Sequence, residues 1–116
     1  IYDMANRNGV RPRWGMVRTD VMGERVTDAP TRYDDVSPLV RVSDVTPPMV
    51  IVHGTRDTLV PIGEAEQFVA ALEHADRPVE YVPVPGAQHA FDAVSSPTSR
   101  VVAAVVRDRL RRIVPA

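Results

Sequence analysis

Met49-Val50-Ile51-Val52-His53-Gly54-Thr55-Arg56-Asp57-Thr58-Leu59-Val60-Pro61 is the stretch on which the fold turns. Its first four residues are apolar, and Val50, Ile51 and Val52 are β-branched. A continuous run of this kind predicts a strand buried on both faces of a parallel sheet. The run is entered from Pro47-Pro48, which neither extend a helix nor donate to a ladder, and it exits through His53-Gly54. Beyond Pro61, Ala65, Phe68, Val69 and Leu72 recur at i, i+3, i+4 and i+7. That is the apolar stripe of an amphipathic helix, expected over residues 63–75. Glu64 and Glu66 fall in its first turn, where the helix dipole favours negative charge.

The same order then repeats. Val79-Glu80-Tyr81-Val82-Pro83-Val84 reads as a second strand. Pro83 has no N–H, so this strand ends there or lies at a sheet edge. After a loop over residues 85–92, Ser96-Pro97 offers an N-cap followed by proline at the first helical position. The helix expected from there carries Val101, Val102, Val105, Val106, Leu110 and Ile113 on one side. Arg107, Arg109, Arg111 and Arg112 crowd its C-terminal end, where cations complement the dipole. Strand, helix, strand, helix at this spacing predicts an α/β fold with a parallel sheet and helical crossovers. Two such units are too few for a layered domain, so they read as the last two units of a larger doubly wound sheet.

Residues 1–48 carry no comparable period. Gly9, Gly15, Gly23 and five prolines punctuate them. A short helix over Gly15 to Arg25 is expected from Met16, Val17, Val21 and Met22, and a short turn from Tyr33 to Pro38. This part reads as a loop-rich cover rather than a core of its own. The chain opens on Ile1-Tyr2-Asp3, which reads as the continuation of a longer protein.

Composition narrows the function. At 116 residues there is room for one small domain. With 44% hydrophobic and 25% charged residues the chain reads as globular. A net charge of −1 gives no electrostatic reason to expect a nucleic-acid partner, which normally needs a basic stripe. No apolar run approaches the roughly 20 residues that span a bilayer. The absence of cysteine removes disulfides, thiolate metal sites and cysteine nucleophiles. All 14 basic residues are arginine, which excludes a lysine Schiff base and a P-loop lysine.

Parallel strands joined by a right-handed crossover put their following loops at one edge of the sheet, the carboxyl edge, where α/β proteins place ligands. Those loops present Asp57 and His89. Neighbouring strands lie about 4.8 Å apart, so a carboxylate on one loop can reach an imidazole on the other. An aspartate that accepts a histidine's Nδ1 proton fixes the tautomer and leaves the other nitrogen as a general base. The third member of such a triad is a nucleophile. None of Ser37, Ser43, Ser95, Ser96 and Ser99 sits in Gly-x-Ser-x-Gly, and no His-Gly-Gly-Gly run supplies oxyanion donors.

His53 to Pro61 resembles the segment after the penultimate strand of α/β-hydrolase esterases, and Gly86-Ala87-Gln88-His89-Ala90-Phe91 resembles the loop after their last strand. The nearest resemblance is to the carboxylesterase and lipase group of the kind found in actinobacteria. It implies that Asp57 is the triad aspartate and His89 the triad histidine, with the serine upstream of Ile1. It further implies a partial α/β-hydrolase domain, 49–114 being the last two strand–helix units and 1–48 a cap-like, loop-rich segment. Tyr33 to Pro38 resembles the Ser-Pro turn such enzymes often carry before the aspartate strand. The implied activity is hydrolysis of small-molecule carboxylic esters without metal or organic cofactor. Two alternatives stand beside it. Prolyl-oligopeptidase-like peptidases have a similar Asp loop and His loop, and a degenerate, non-catalytic piece would keep the fold without the nucleophile. The incomplete sheet is expected to leave apolar faces open to self-association.

The remaining candidates have simpler readings. His53 is expected to pack at the strand end and His74 to be solvated. His53, Asp57 and His89 have the chemistry of metal ligands, but their spacing matches no metal motif. Phe91 is expected to anchor the histidine loop and Asp92 to brace its backbone. The arginines from Arg107 to Arg112 read as a solvated helix end. Trp14, Met16, Val17 and Met22 read first as cover over the core and second as walls of an acyl pocket.

Overall fold

The computed structural model describes Met22, Gly23 and residues 28–114. The chain divides into two compact units, Ile1–Arg41 and Val42–Ala116. The helix expected over Gly15 to Arg25 lies, apart from Met22 and Gly23, outside the described residues, as do Trp14, Met16 and Val17.

In the first unit, the turn expected at Tyr33 to Pro38 is instead a helix, α1 (Pro30–Val36), followed by a 3-10 turn at Pro38–Arg41. Pro30 supplies a φ already suited to the first helical position, which starts the helix early enough for nearly two turns before Pro38 forbids continuation. The Ser37 N–H closes α1 on the Asp34 carbonyl at 3.1 Å. The Tyr33 side chain is fully buried, and the Arg41 guanidinium donates to the Asp35 carbonyl.

The second unit holds β1 (Met49–Gly54), α2 (Ile62–His74), β2 (Val79–Val84) and α3 (Pro97–Ile113), in the order the sequence predicts. The two strands pair in parallel from Met49↔Val79 to Gly54↔Val84. Their C-terminal ends are therefore level, and the loops that follow leave the sheet side by side. Pro83 stays within β2, opposite His53. It is tolerated because β2 has a paired neighbour on one side only among the described residues, and the missing N–H faces the other side.

The full burial expected of β1 is not met. Met49 to Val52 are half-buried, and in β1 only Gly54 is buried. A parallel strand is buried on both faces when it has neighbours at both edges and helices on both faces, and β1 has β2 alone among the described residues. The core gathers at the crossover: Ala65, Val69 and Leu72 of α2 are buried, as are Val84 and Ala87.

The helix ends are well tied. Asp76 takes a left-handed conformation (φ 52°) that lets the Arg77 N–H reach the Leu72 carbonyl at 2.8 Å and its own N–H reach Glu73 at 3.0 Å. This is a Schellman closure with aspartate where glycine is usual. Ser96 and Ser99 form a reciprocal capping box at the start of α3. Arg109 of α3 pairs with Glu80 of β2 at 2.7 Å. No residue of α3 is fully buried, and Val101 and Leu110 are exposed. The expected apolar stripe is thus divided: Val102, Val105, Val106 and Ile113 are half-buried, while Val101 and Leu110 face outward. No helix among the described residues is long and apolar enough to cross a membrane.

Candidate active site

The site is assembled by the level ends of β1 and β2. Gly54 ends β1 against the second loop, and a Cβ there would lie 2.5 Å from the Ala87 carbonyl oxygen. Only glycine permits this approach, and the two loops are laced across it. Thr55 N–H donates to Val84 O at 3.0 Å and Arg56 N–H to Ala87 O at 3.0 Å. The Gly86 N–H returns a bond to Thr55 Oγ1 at 2.9 Å. These contacts hold the residues before Asp57 against those before His89.

His89 Nδ1 lies 2.9 Å from Asp57 Oδ2. The other carboxylate oxygen, Oδ1, accepts the N–H groups of Leu59 and Val60, each at 2.8 Å. The carboxylate is nearly buried, with 6% of its side chain exposed, whereas the His89 ring is 47% exposed. Burial pushes the Asp57 pKa up. The bonds from Val60, His89 and Leu59, joined by attraction to the His89 ring, outweigh it and hold the carboxyl below its ordinary 3.8. Asp57 is therefore ionised at neutral pH and can only accept. The proton of the shared bond then sits on His89 Nδ1, which leaves Nε2 of the neutral ring with its lone pair. Among the described residues nothing hydrogen-bonds that nitrogen. An oriented imidazole with a free Nε2 can remove a proton from a hydroxyl and return it to a leaving group.

Beside the pair, a cleft of about 500 Å³ runs between the loops and α3. Val52, Val60, Phe91, Val102 and Val106 make it mostly apolar, and His89 stands on its wall. Ala90, next to the histidine, is held at φ 54°, a left-handed conformation that costs a non-glycine residue about 1–2 kcal/mol.

Asp57 and His89, both singled out in the sequence, are thus in contact. His53 is half-buried at the strand end, where its Nε2 lies 2.8 Å from the Val60 carbonyl. His74 is exposed at the end of α2. Phe91 is half-buried and lines the cleft with Asp92. No cluster of acidic and histidine residues suited to a metal ion occurs among the described residues. Three supports escaped the sequence reading: the Gly54 approach, the Thr55 hydroxyl and the Leu59 and Val60 donors. The last had a legible signal, because an aspartate commonly accepts from the backbone two residues on.

The sequence profile of the prolyl oligopeptidase family matches residues 8–110. The chain belongs to that family. It is 34% identical to the esterase LipQ of Mycobacterium tuberculosis over 112 residues, which is 95% of this chain and 27% of LipQ. It is 37% identical to the esterase LipC of the same organism over 109 residues, 88% of this chain and 27% of LipC. Among solved structures it resembles the thermophilic esterase Est2 of the planctomycete Thermogutta terrifontis, with a TM-score of 0.68 and 27% identity. That match covers 92% of this chain and 38% of the esterase. The chain therefore spans about a quarter of the length of these curated esterases. Its fold is that of the matched part of an α/β-hydrolase esterase, and its kinship is with the serine hydrolases.

Proposed function

We propose that the chain supplies the base and its orienting carboxylate to a serine ester hydrolase, the nucleophilic serine being expected upstream of residue 1. In this reading, residues 49–114 are the last two strand–helix units of the catalytic sheet and 1–48 a cap-like segment. The observation that carries it is the 2.9 Å bond from the exposed His89 ring to the nearly buried, ionised Asp57. The names of the relatives LipQ and LipC support it.

His89 Nε2 takes the proton of the serine hydroxyl as its oxygen attacks the ester carbonyl carbon. The charge gained by the ring is balanced by Asp57 through Nδ1–H. The same proton passes from Nε2 to the leaving alkoxide as the ester C–O bond breaks. Water then repeats the sequence on the acyl-enzyme and releases the acid and free serine. No metal or organic cofactor is required. The apolar cleft beside His89 suits the hydrocarbon part of a small ester.

The family match favours a second reading, in which the same pair serves a peptidase and the proton goes to an amine. The test is the protein as its gene encodes it, assayed on p-nitrophenyl butyrate and on a prolyl p-nitroanilide peptide. Ester turnover that falls at least about a thousandfold in His89→Ala is expected. Faster turnover of the anilide would favour the peptidase. Undiminished ester turnover in His89→Ala would overturn the assignment, and no turnover of either substrate would leave a non-catalytic piece.

A further inference from the structure

We infer that His53 is a positioning residue for Asp57, acting through Val60; this rests on the reading of Asp57 and His89 given above. A carbonyl oxygen only accepts, so the 2.8 Å contact between His53 Nε2 and Val60 O requires the proton on Nε2. His53 and His89 are thus opposite tautomers, each set by a partner that can only accept. Val60 is held on both sides of its Cα, through the two peptide units that flank it. Its N–H donates to Asp57 Oδ1 at 2.8 Å, and the carbonyl of the same residue accepts from His53. The ring itself does not bond the carboxylate, since its Nε2 is 3.7 Å from Oδ2. Its effect passes through the turn instead.

The placement explains why the turn is rigid enough to aim a carboxylate. His53 belongs to β1 and its side chain is 14% exposed, so the ring is fixed by the sheet. Residues 57–60 carry no ladder of their own. The His53 bond fastens their far end to the strand, and the Gly54 carbonyl fastens the near end by accepting Asp57 N–H at 3.1 Å. Both donors to Oδ1 lie between these two anchors. Without the His53 bond, Val60 is free to turn its N–H away. Oδ2 then loses the orientation that meets His89 Nδ1. The titratable groups facing this region are Asp57, His89 and Asp92 from the loops and His53 from the strand.

The test uses the encoded protein and two substitutions. His53→Phe keeps a ring of similar size and removes the donor. His53→Gln places an amide N–H at nearly the same reach. The expected result is a fall in kcat of about tenfold to a hundredfold for His53→Phe with KM within about twofold, and recovery by His53→Gln to within about threefold of the parent. A second readout needs no turnover: the His89 Nδ1–H resonance in protein labelled with ¹⁵N-histidine. It should be lost to exchange in His53→Phe and kept in His53→Gln. Equal impairment of the two variants, or the same resonance in all three proteins, would overturn the proposal. His89→Ala separates the two ideas. If it stays active, the site reading fails; if it is inactive while His53→Phe behaves as the parent, only the role of His53 falls.

Discussion

Gly54 is the residue on which the two loops depend most. A methyl group placed 2.5 Å from the Ala87 oxygen cannot be accommodated by rotating a side chain, because the obstacle is backbone. Gly54→Ala is expected to cost about 1–3 kcal/mol, measured by urea unfolding, and to move the loop that carries His89. Unchanged stability would mean that the loops close differently. Asp57 sets a pH dependence. Its carboxyl is held below 3.8 in the folded chain, so its contribution to stability is full above the ordinary aspartate value. It is lost as pH falls through the lowered value. Stability should therefore drop below about pH 4, and Asp57→Asn should flatten that part of the profile. An unaltered profile in Asp57→Asn would assign the acid sensitivity elsewhere.

Among the elements, α2 and α3 differ in what holds them. α2 lays Ala65, Val69 and Leu72 into the core and closes on a left-handed aspartate. Asp76 bears the steric cost of its Cβ at φ 52°. Asp76→Gly removes that cost and keeps both closing bonds, at the expense of a freer unfolded chain, so a net gain of about 0.5–1 kcal/mol is expected. Calorimetry or urea unfolding reads it directly, and a loss of stability would show that the Asp76 side chain holds something the backbone does not. α3 has no fully buried residue, and its place is fixed by the Ser96–Ser99 capping box, the half-buried valines and the Arg109–Glu80 pair. The residues that define these helices were legible from spacing, to within one residue at α2. The turn expected at Tyr33 to Pro38 was not, because tertiary burial of Tyr33 and an early Pro30 extend a local turn into a helix.

At the scale of the whole molecule, the described chain is short of cover. Val101 is 64% exposed and Leu110 41%, and β1 has one paired edge among the described residues. Open strand edges and exposed apolar side chains recruit further chain. The 116-residue polypeptide by itself is therefore expected to associate as its concentration rises, seen as growing mass in light scattering. A monodisperse monomer at all concentrations would show that these surfaces are covered from within.

What the sequence determined by itself was the order of elements and the two residues that meet. A continuous apolar run and an apolar period of 3.6 are local, and parallel strands joined by a right-handed crossover deliver their loops to one edge. From that alone Asp57 and His89 could be placed together. The tertiary structure decided everything that depends on distance between segments remote in the chain. It brought Gly54 against Ala87, set the two donors on Asp57 and turned His53 toward Val60. It also left β1 half-buried where its composition predicted full burial. Composition reports what a strand is suited to; burial depends on which neighbours surround it.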